Sequence, residues 1–344
     1  MFRRPVSRRT LLTGAAAGVL APVLVTGAQA HAEVRPGAGT GSVAVKATGD
    51  GSKPVTRKVT LYAESVAGGL TGYGLEPGQA TVPGPILEMW EGDTYEITLV
   101  NNTSERLSIH AHGVDYDTAS DGTPMNDSAT EAGQTRTYVW KTHTAHRRKD
   151  GTWAPGSAGY WHYHDHAMGG DHGTKGISQG LYGALIVRRS KDILPDKQFT
   201  VVFNDMTINN KVGADVPTLE AKLGERVEFI AIGHGNNFHT FHVHAHRWAD
   251  NRTGLLDGPH DATPLIDNKD LNPGSSFGFQ VIAGEGVGPG AWMYHCHVQY
   301  HADGGMVGVF LVTDEDGSVP ASAQTALDRF HSGHMGHMGG MDHP

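Results

Sequence analysis

The chain is almost without cysteine: of its 344 residues only Cys296 carries a thiol. One cysteine cannot close an internal disulfide, so this thiol is free, intermolecular or a metal ligand. Positive charge is scarce as well. Lys and Arg number 27 against 36 Asp and Glu, a formal net charge of −9, which argues against nucleic acid or an anionic membrane as a partner. Helical periodicity is nearly absent, and after residue 30 no segment is apolar enough to cross a bilayer. The one apolar run, Leu11 to Val25, follows Ser7-Arg8-Arg9-Thr10-Leu11-Leu12 and precedes Ala28-Gln29-Ala30. A twin-arginine pattern, a short apolar stretch and a small-residue cleavage motif predict an export signal over 1–30 and hence a secreted protein. Its removal takes away four arginines and no acid, moving the balance to about −13. Histidine is in excess, with 22 copies against 10 each of Tyr and Phe, and 47 glycines and 17 prolines suit many short strands joined by turns.

Two stretches, Ile86 to Val187 and Thr218 to Val312, repeat the same signals in the same order. ILEMWEGDTYEITLV matches TLEAKLGERVEFIAI, each an alternating half-buried strand pattern broken by a glycine-acid turn. SIHAHG matches TFHVHAH, GYWHYHDH matches AWMYHCH, and LYGALIV matches MVGVFLV. His112 lies 52 positions before His164, and His244 lies 51 before His295. This is an internal duplication of one β-domain, and it predicts two tandem all-β Greek-key sandwiches. The expected layout is an export signal over 1–30, a flexible segment over 31–54, a first domain over 55–189, a linker over 190–197, a second domain over 198–322 and a His/Met-rich tail over 323–344. The tail's HSGHMGHMGGMDHP reads either as a plain polar extension or as a weak copper-capturing tract.

Alternate residues of a strand face the same side. His110 and His112 therefore project together, as do His164 with His166, His242 with His244, and His295 with His297. Four His-x-His pairs at duplicated positions are hard to reconcile with a merely solvated face. Cys296 has the opposite parity to its flanking histidines and points through the strand to the other side. His239 likewise opposes His242 and His244, so Cys296 and His239 meet on one side while the pairs meet on the other. His301 and Met306 follow in an expected loop that folds back over the thiol. Two imidazoles, one thiolate and a weak methionine form the blue-copper ligand set. In the first repeat Leu107, Asp165 and Gly170 stand opposite His239, Cys296 and His301, so that copy keeps the pairs and lacks the thiol site. His162 and His246 fall outside the duplicated set and are read as supporting or surface residues; His143, His146 and His172 are read as solvated loop residues.

HAHG, HYHDH, HTFHVH and HCHVQYHADGGM, in that order across residues 55 to 320, resemble the multicopper oxidase family, specifically its small two-domain bacterial laccases. The resemblance implies cupredoxin-like domains and four coppers per chain. His110 and His242 would hold a type 2 copper, and His112, His164, His166, His244, His295 and His297 a type 3 pair. His239, Cys296 and His301 would hold a type 1 copper with Met306 axial. It further implies a homotrimer in which the first domain of one chain completes a trinuclear site with the second domain of the next.

The activity so implied is one-electron oxidation of phenols and aromatic amines at the type 1 copper, coupled to four-electron reduction of O2 to water. His301, followed by glycines, is expected to be the exposed ligand that accepts the electron. Asp121, in SDGTP, is a candidate proton relay, although a turn aspartate bonding its own backbone explains it equally well. Tyr116 shares parity with His110 and approaches the cluster if the strand continues; as a core residue it needs no such role. The strongest rival is a metal-ion oxidase for Cu(I), Fe(II) or Mn(II) with the same ligands. A blue-copper carrier would not need the paired histidines, and a copper nitrite reductase would not need His297.

Overall fold

The computed structural model describes residues 34–35, 43–47 and 49–333, so the expected export signal and the stretch from residue 334 lie outside it. The first half is a sandwich built on period-two alternation. In Thr94–Asn101 (TYEITLVN), Tyr95, Ile97 and Leu99 turn inward between half-buried neighbours. Thr56–Val66 follows the same rule with Val59, Leu61 and Ala63, and runs parallel to it from Thr56 opposite Thr94 to Ala63 opposite Asn101. Leu70–Gly74 and Thr135–Lys141 complete this four-stranded sheet. The facing six-stranded sheet includes Ile86–Trp90, Tyr182–Arg188, Gly159–His164 and His110–Ala111, side by side in that order.

The second half repeats the plan. One sheet holds Lys197–Asn204, Arg226–His234 and Ser276–Ile282, and the other carries Val307–Thr313, Gly290–Cys296 and His239–Val243 as neighbours. Its core is aromatic, with Phe199, Phe229, Phe241 and Phe310 buried around Phe279, which stacks on Trp248 at 3.8 Å.

The half-buried pattern expected for Ile86–Trp90 does not hold, since all five residues are buried. Two cores explain this. Leu87 and Met89 face the interior of the first sandwich, whereas Ile86 joins Tyr182, Ala184 and Ile186 against Val202, Ile230 and Ile232 of the second. Each aliphatic chain so enclosed contributes roughly 1.5–3 kcal/mol. At the rim of this contact the buried Arg188 guanidinium bridges Glu88 of the first half (3.0 Å) and Glu228 of the second (2.7 Å), with Tyr160 and Gln198 donating to the same Glu228. Burial alone would raise Glu228, but Arg188 and these hydrogen bonds overcome it and hold the carboxyl below its ordinary range.

Two segments depart from the sequence reading. Ala44–Val45, within the stretch expected to be flexible, is a buried strand parallel to Ile86–Leu87. Ala321–His331, at the start of the expected tail, is a helix whose Ala323, Leu327 and Phe330 pack on Val309 and Leu311.

Candidate metal centres

The two histidine pairs of each half come together because their strands are neighbours. In the first half, Gly159–His164 pairs with His110–Ala111 so that His164 stands opposite His110; in the second, His242 stands opposite His295. Their Nε2 atoms converge, His112 to His164 at 3.1 Å and His244 to His295 at 3.2 Å. His110, His112 and His164 offer ligand atoms within 4.8 Å of one another, as do His242, His244 and His295. His166 joins the first group through ring contacts to His110 (5.0 Å) and His164 (5.6 Å), and His297 joins the second through His242 (5.5 Å) and His295 (5.3 Å).

Hydrogen bonds set the tautomers. The Nδ1 atoms of His110 and His242 lie 2.7 Å from the carbonyls of Asp121 and Asp267, and those of His164 and His295 lie 2.7 and 2.8 Å from the carbonyls of Asp165 and Cys296. A carbonyl only accepts, so each Nδ1 carries the proton and each Nε2 presents a bare lone pair to the shared space. Burial disfavours the charged form of several of these rings. It pushes His112 down to about 4, helped by His110 and His166, and it pushes His164 well below its ordinary value; His244 and His295 are lowered in the same way. Neutral imidazoles are the form that binds a metal.

Gly113 closes HAHG with φ +75°, and a Cβ there would fall 2.0 Å from the Trp161 ring. The chain must turn there, so the strand ends and does not carry on toward Tyr116. Tyr116 nevertheless reaches the cluster, its ring edge-on to His110 at 5.7 Å. The Asp121 carboxylate lies 3.5 Å from the His110 ring and accepts from Thr123 and Asn126. Burial would raise it, but those two hydrogen bonds and the nearby His110 and His166 leave it below its ordinary value. The carboxylate is thus held by side chains of its own turn beside a cluster ring, and its carboxyl favours the ionised state.

The two half-sites differ in enclosure. His164 is 7% exposed. Residues from the second half of the same chain back the first site, with His234 meeting His164 at 5.4 Å and His162 at 5.0 Å. His244 and His297 are exposed. Among the described residues, no ring contact joins the two sets.

The thiol lies on the opposite side of Gly290–Cys296. Cys296, His239, His301 and Met306 are all fully buried. Cys296 Sγ is 3.8 Å from His239 Nδ1 and 3.5 Å from His301 Nδ1, separations that one ion with bonds of ~2.0 Å to nitrogen and ~2.3 Å to sulfur would span. Both histidines leave Nε2 without a partner in the protein. Burial lowers His239 to about 4 and also lowers His301, and it raises the Cys296 thiol against the pull of the Thr240 and Val298 N–H groups. A soft cation that accepts a thiolate and two neutral imidazoles fits this donor set.

Two expectations are corrected here. His301 sits in the short helix Gln299–Asp303 rather than in a loop, and it is not exposed. That single turn swings its ring inward and lays Tyr300 over it at 4.2 Å. The exposed groups around the thiol site are Tyr300 (56%), Phe238 (57%) and Val212 (45%). Asp205, whose charge acts on His239, accepts from the Asn236 backbone N–H at 2.6 Å. His162 and His246 are buried; His246 Nε2 accepts from Gly284 N–H at 3.0 Å, a structural use. His234 was missed altogether, because only the packing of the two halves gives it a role.

Comparisons with known proteins follow this geometry. Residues 79–192 and 190–316 each match a family model described as multicopper oxidase. The chain is 34% identical over 267 residues to a probable nitrite reductase-hydroxylamine oxidoreductase fusion protein of Kuenenia stuttgartiensis, covering 71% of this chain and 29% of that protein. It is 28% identical to rat (Rattus norvegicus) hephaestin, covering 68% of this chain and 22% of that one. The chain therefore spans less than a third of either relative's length. A crystal structure of a multicopper oxidase superposes with a TM-score of 0.56 at 22% identity, covering 75% of this chain and 89% of that one, and it shares the fold.

Proposed function

The chain belongs to the multicopper oxidase family, and on that premise we propose that it is a secreted laccase-type oxidase of phenols and aromatic amines. One observation carries the reading: a buried His-Cys-His set and an imidazole half-site lie on opposite sides of one strand, and the first half of the chain repeats the half-site without the thiol. Four coppers per chain are proposed, one at Cys296, His239 and His301 beside Met306, and three among the paired histidines. Copper bound there supplies one-electron oxidation at the thiol site and dioxygen reduction at the imidazole cluster.

The chain's own residues do the rest. His295 and His297 flank Cys296, so a single residue of backbone links the two centres. The carbonyls of Asp121, Asp165, Asp267 and Cys296 hold the ligand rings in their binding tautomer. Exposed Tyr300 packs edge-on against the buried His301, and exposed Phe238 precedes His239 in the chain, which suits a planar aromatic donor. A metal-ion substrate would instead draw on carboxylates, of which Asp205 is engaged with Asn236 and Asp303 stands exposed in the His301 helix.

Each half of the chain carries one half-site, the second with His244 and His297 exposed, and among the described residues no ring contact joins the two, so we propose a homotrimer in which the first half of one chain meets the second half of the next. Co-expression of His112→Ala with His244→Ala chains tests it. Each variant alone should be inactive, and mixed assemblies should recover activity at roughly a quarter of their interfaces. No recovery would mean that both half-sites must lie on one chain.

A further inference from the structure

We propose that His162 is a positioning residue through which the second half of the chain sets the ring plane of His112. The inference rests on the reading of His112 as a cluster ligand. His112, like His166, lacks the backbone tie that holds the other two rings of its half-site. The Nδ1 atoms of His110 and His164 are tied to backbone carbonyls, whereas among the described residues nothing is hydrogen-bonded to Nδ1 of His112. Its orientation comes instead from a face: the His162 ring lies parallel to it, 4.0 Å between centroids at 26°.

The His162 ring is itself tethered. It is 1% exposed, and its Nδ1 lies 3.3 Å from Ser276 Oγ, at the start of Ser276–Ile282 in the second half. That hydroxyl donates its one proton to the Tyr160 carbonyl at 2.8 Å. Its lone pairs are what remain, so His162 Nδ1 is the donor. Nε2 of His162 has no partner in the protein, so the ring is held by one bond and two packed faces. His234, also from the second half, presses on the group edge-on at 88°.

The second half has no such device. His112 N–H bonds the carbonyl of His162 at 3.0 Å, and His244 N–H bonds that of Met293 at 2.8 Å, which makes Met293 the counterpart of His162. A thioether on a flexible chain cannot fix a ring plane. The stacked imidazole therefore belongs only to the half-site packed against the other domain, and it passes the position of that domain to a ligand.

Three substitutions separate ring from tether. His162→Gln keeps a polar group for Ser276 and loses the face; His162→Phe keeps the face and loses the bond; Ser276→Ala keeps the face and loses that bond together with the one to the Tyr160 carbonyl. In full-length copper-loaded protein we expect His162→Gln to weaken cluster copper about tenfold or more in chelator competition. It should also raise the integrated electron paramagnetic resonance signal as the coupled pair is lost. His162→Phe and Ser276→Ala, which keep the face and cut the tether to the second half, should weaken cluster copper by a smaller factor of about three to ten, and parent-like affinity in both would remove the second half from the placement of the ring. The blue band at Cys296 reports folding in every variant. An unchanged cluster in His162→Gln with the blue band intact overturns the proposal, as does equal weakening in His162→Phe. A parent that takes up blue copper but no further copper, like its His112→Ala control, would instead defeat the reading of the cluster itself.

Discussion

Position 296 in the second half and position 165 in the first hold the same place in two copies of one fold. The Cys296 thiol receives the N–H groups of Thr240 and Val298. The Asp165 carboxylate receives those of Ser108 (2.7 Å) and Ala167 (3.2 Å), the equivalent residues, and that of Met168 (2.8 Å). The next contact is shared too, since Ser108 Oγ takes the His166 N–H and Thr240 Oγ1 takes the His297 N–H, both at 3.0 Å. One hydrogen-bonded scaffold thus carries a thiol in one copy and a carboxylate in the other. Asp165 organises its turn from within, a task the second copy would share between a thiol and the ion proposed to bind it. The paired histidines survive in both because they point the other way.

Four measurements would break or sharpen this comparison. Cys296→Ser should abolish the blue absorption and phenol oxidation outright while cluster copper remains; a surviving blue band would place the type 1 centre elsewhere. Asp165→Ala should leave three buried N–H groups unpaired and cost about 3–5 kcal/mol in denaturant unfolding, at ~1–3 kcal/mol for each group with partial relaxation. A loss below 1 kcal/mol would show that the carboxylate is dispensable. Acid should act next. His112 and His239 titrate near 4 in the fold and near 6.5 unfolded, so below 6.5 the unfolded chain binds more protons. Metal-free stability should therefore fall as pH drops from 6.5 toward about 4, and a flat profile across that window would contradict the buried, neutral state of these rings. Deleting residues 334–344 should change phenol oxidation less than about twofold, since the helix that packs on the second half ends at His331; a larger loss would make the His/Met-rich stretch part of the catalytic apparatus.

The two-sided grouping of the histidines and the thiol was legible because strand parity is local. Opposite sides for Cys296 and its flanking histidines follow from period two, and no tertiary knowledge is needed. The duplication likewise announced two sandwiches. The parts that failed depend on what packs over a residue. His301 was expected outside because glycines follow it, yet one helical turn buries it under Tyr300. Ile86–Trp90 was read as half-buried because the second domain on its far face leaves no local mark. His234 had no repeat partner to draw notice, and His162 was set aside for the same reason. Both are significant only across the contact between halves.

The Arg188 bridge has a consequence for dissecting the molecule. Cutting the chain near residue 192 would strand Glu228 without its guanidinium and uncover Ile230, Ile232 and Val202 on a bare sheet face. Neither fragment should therefore be soluble alone, and calorimetry of the intact chain should record a single cooperative transition for two sandwiches that merely look autonomous.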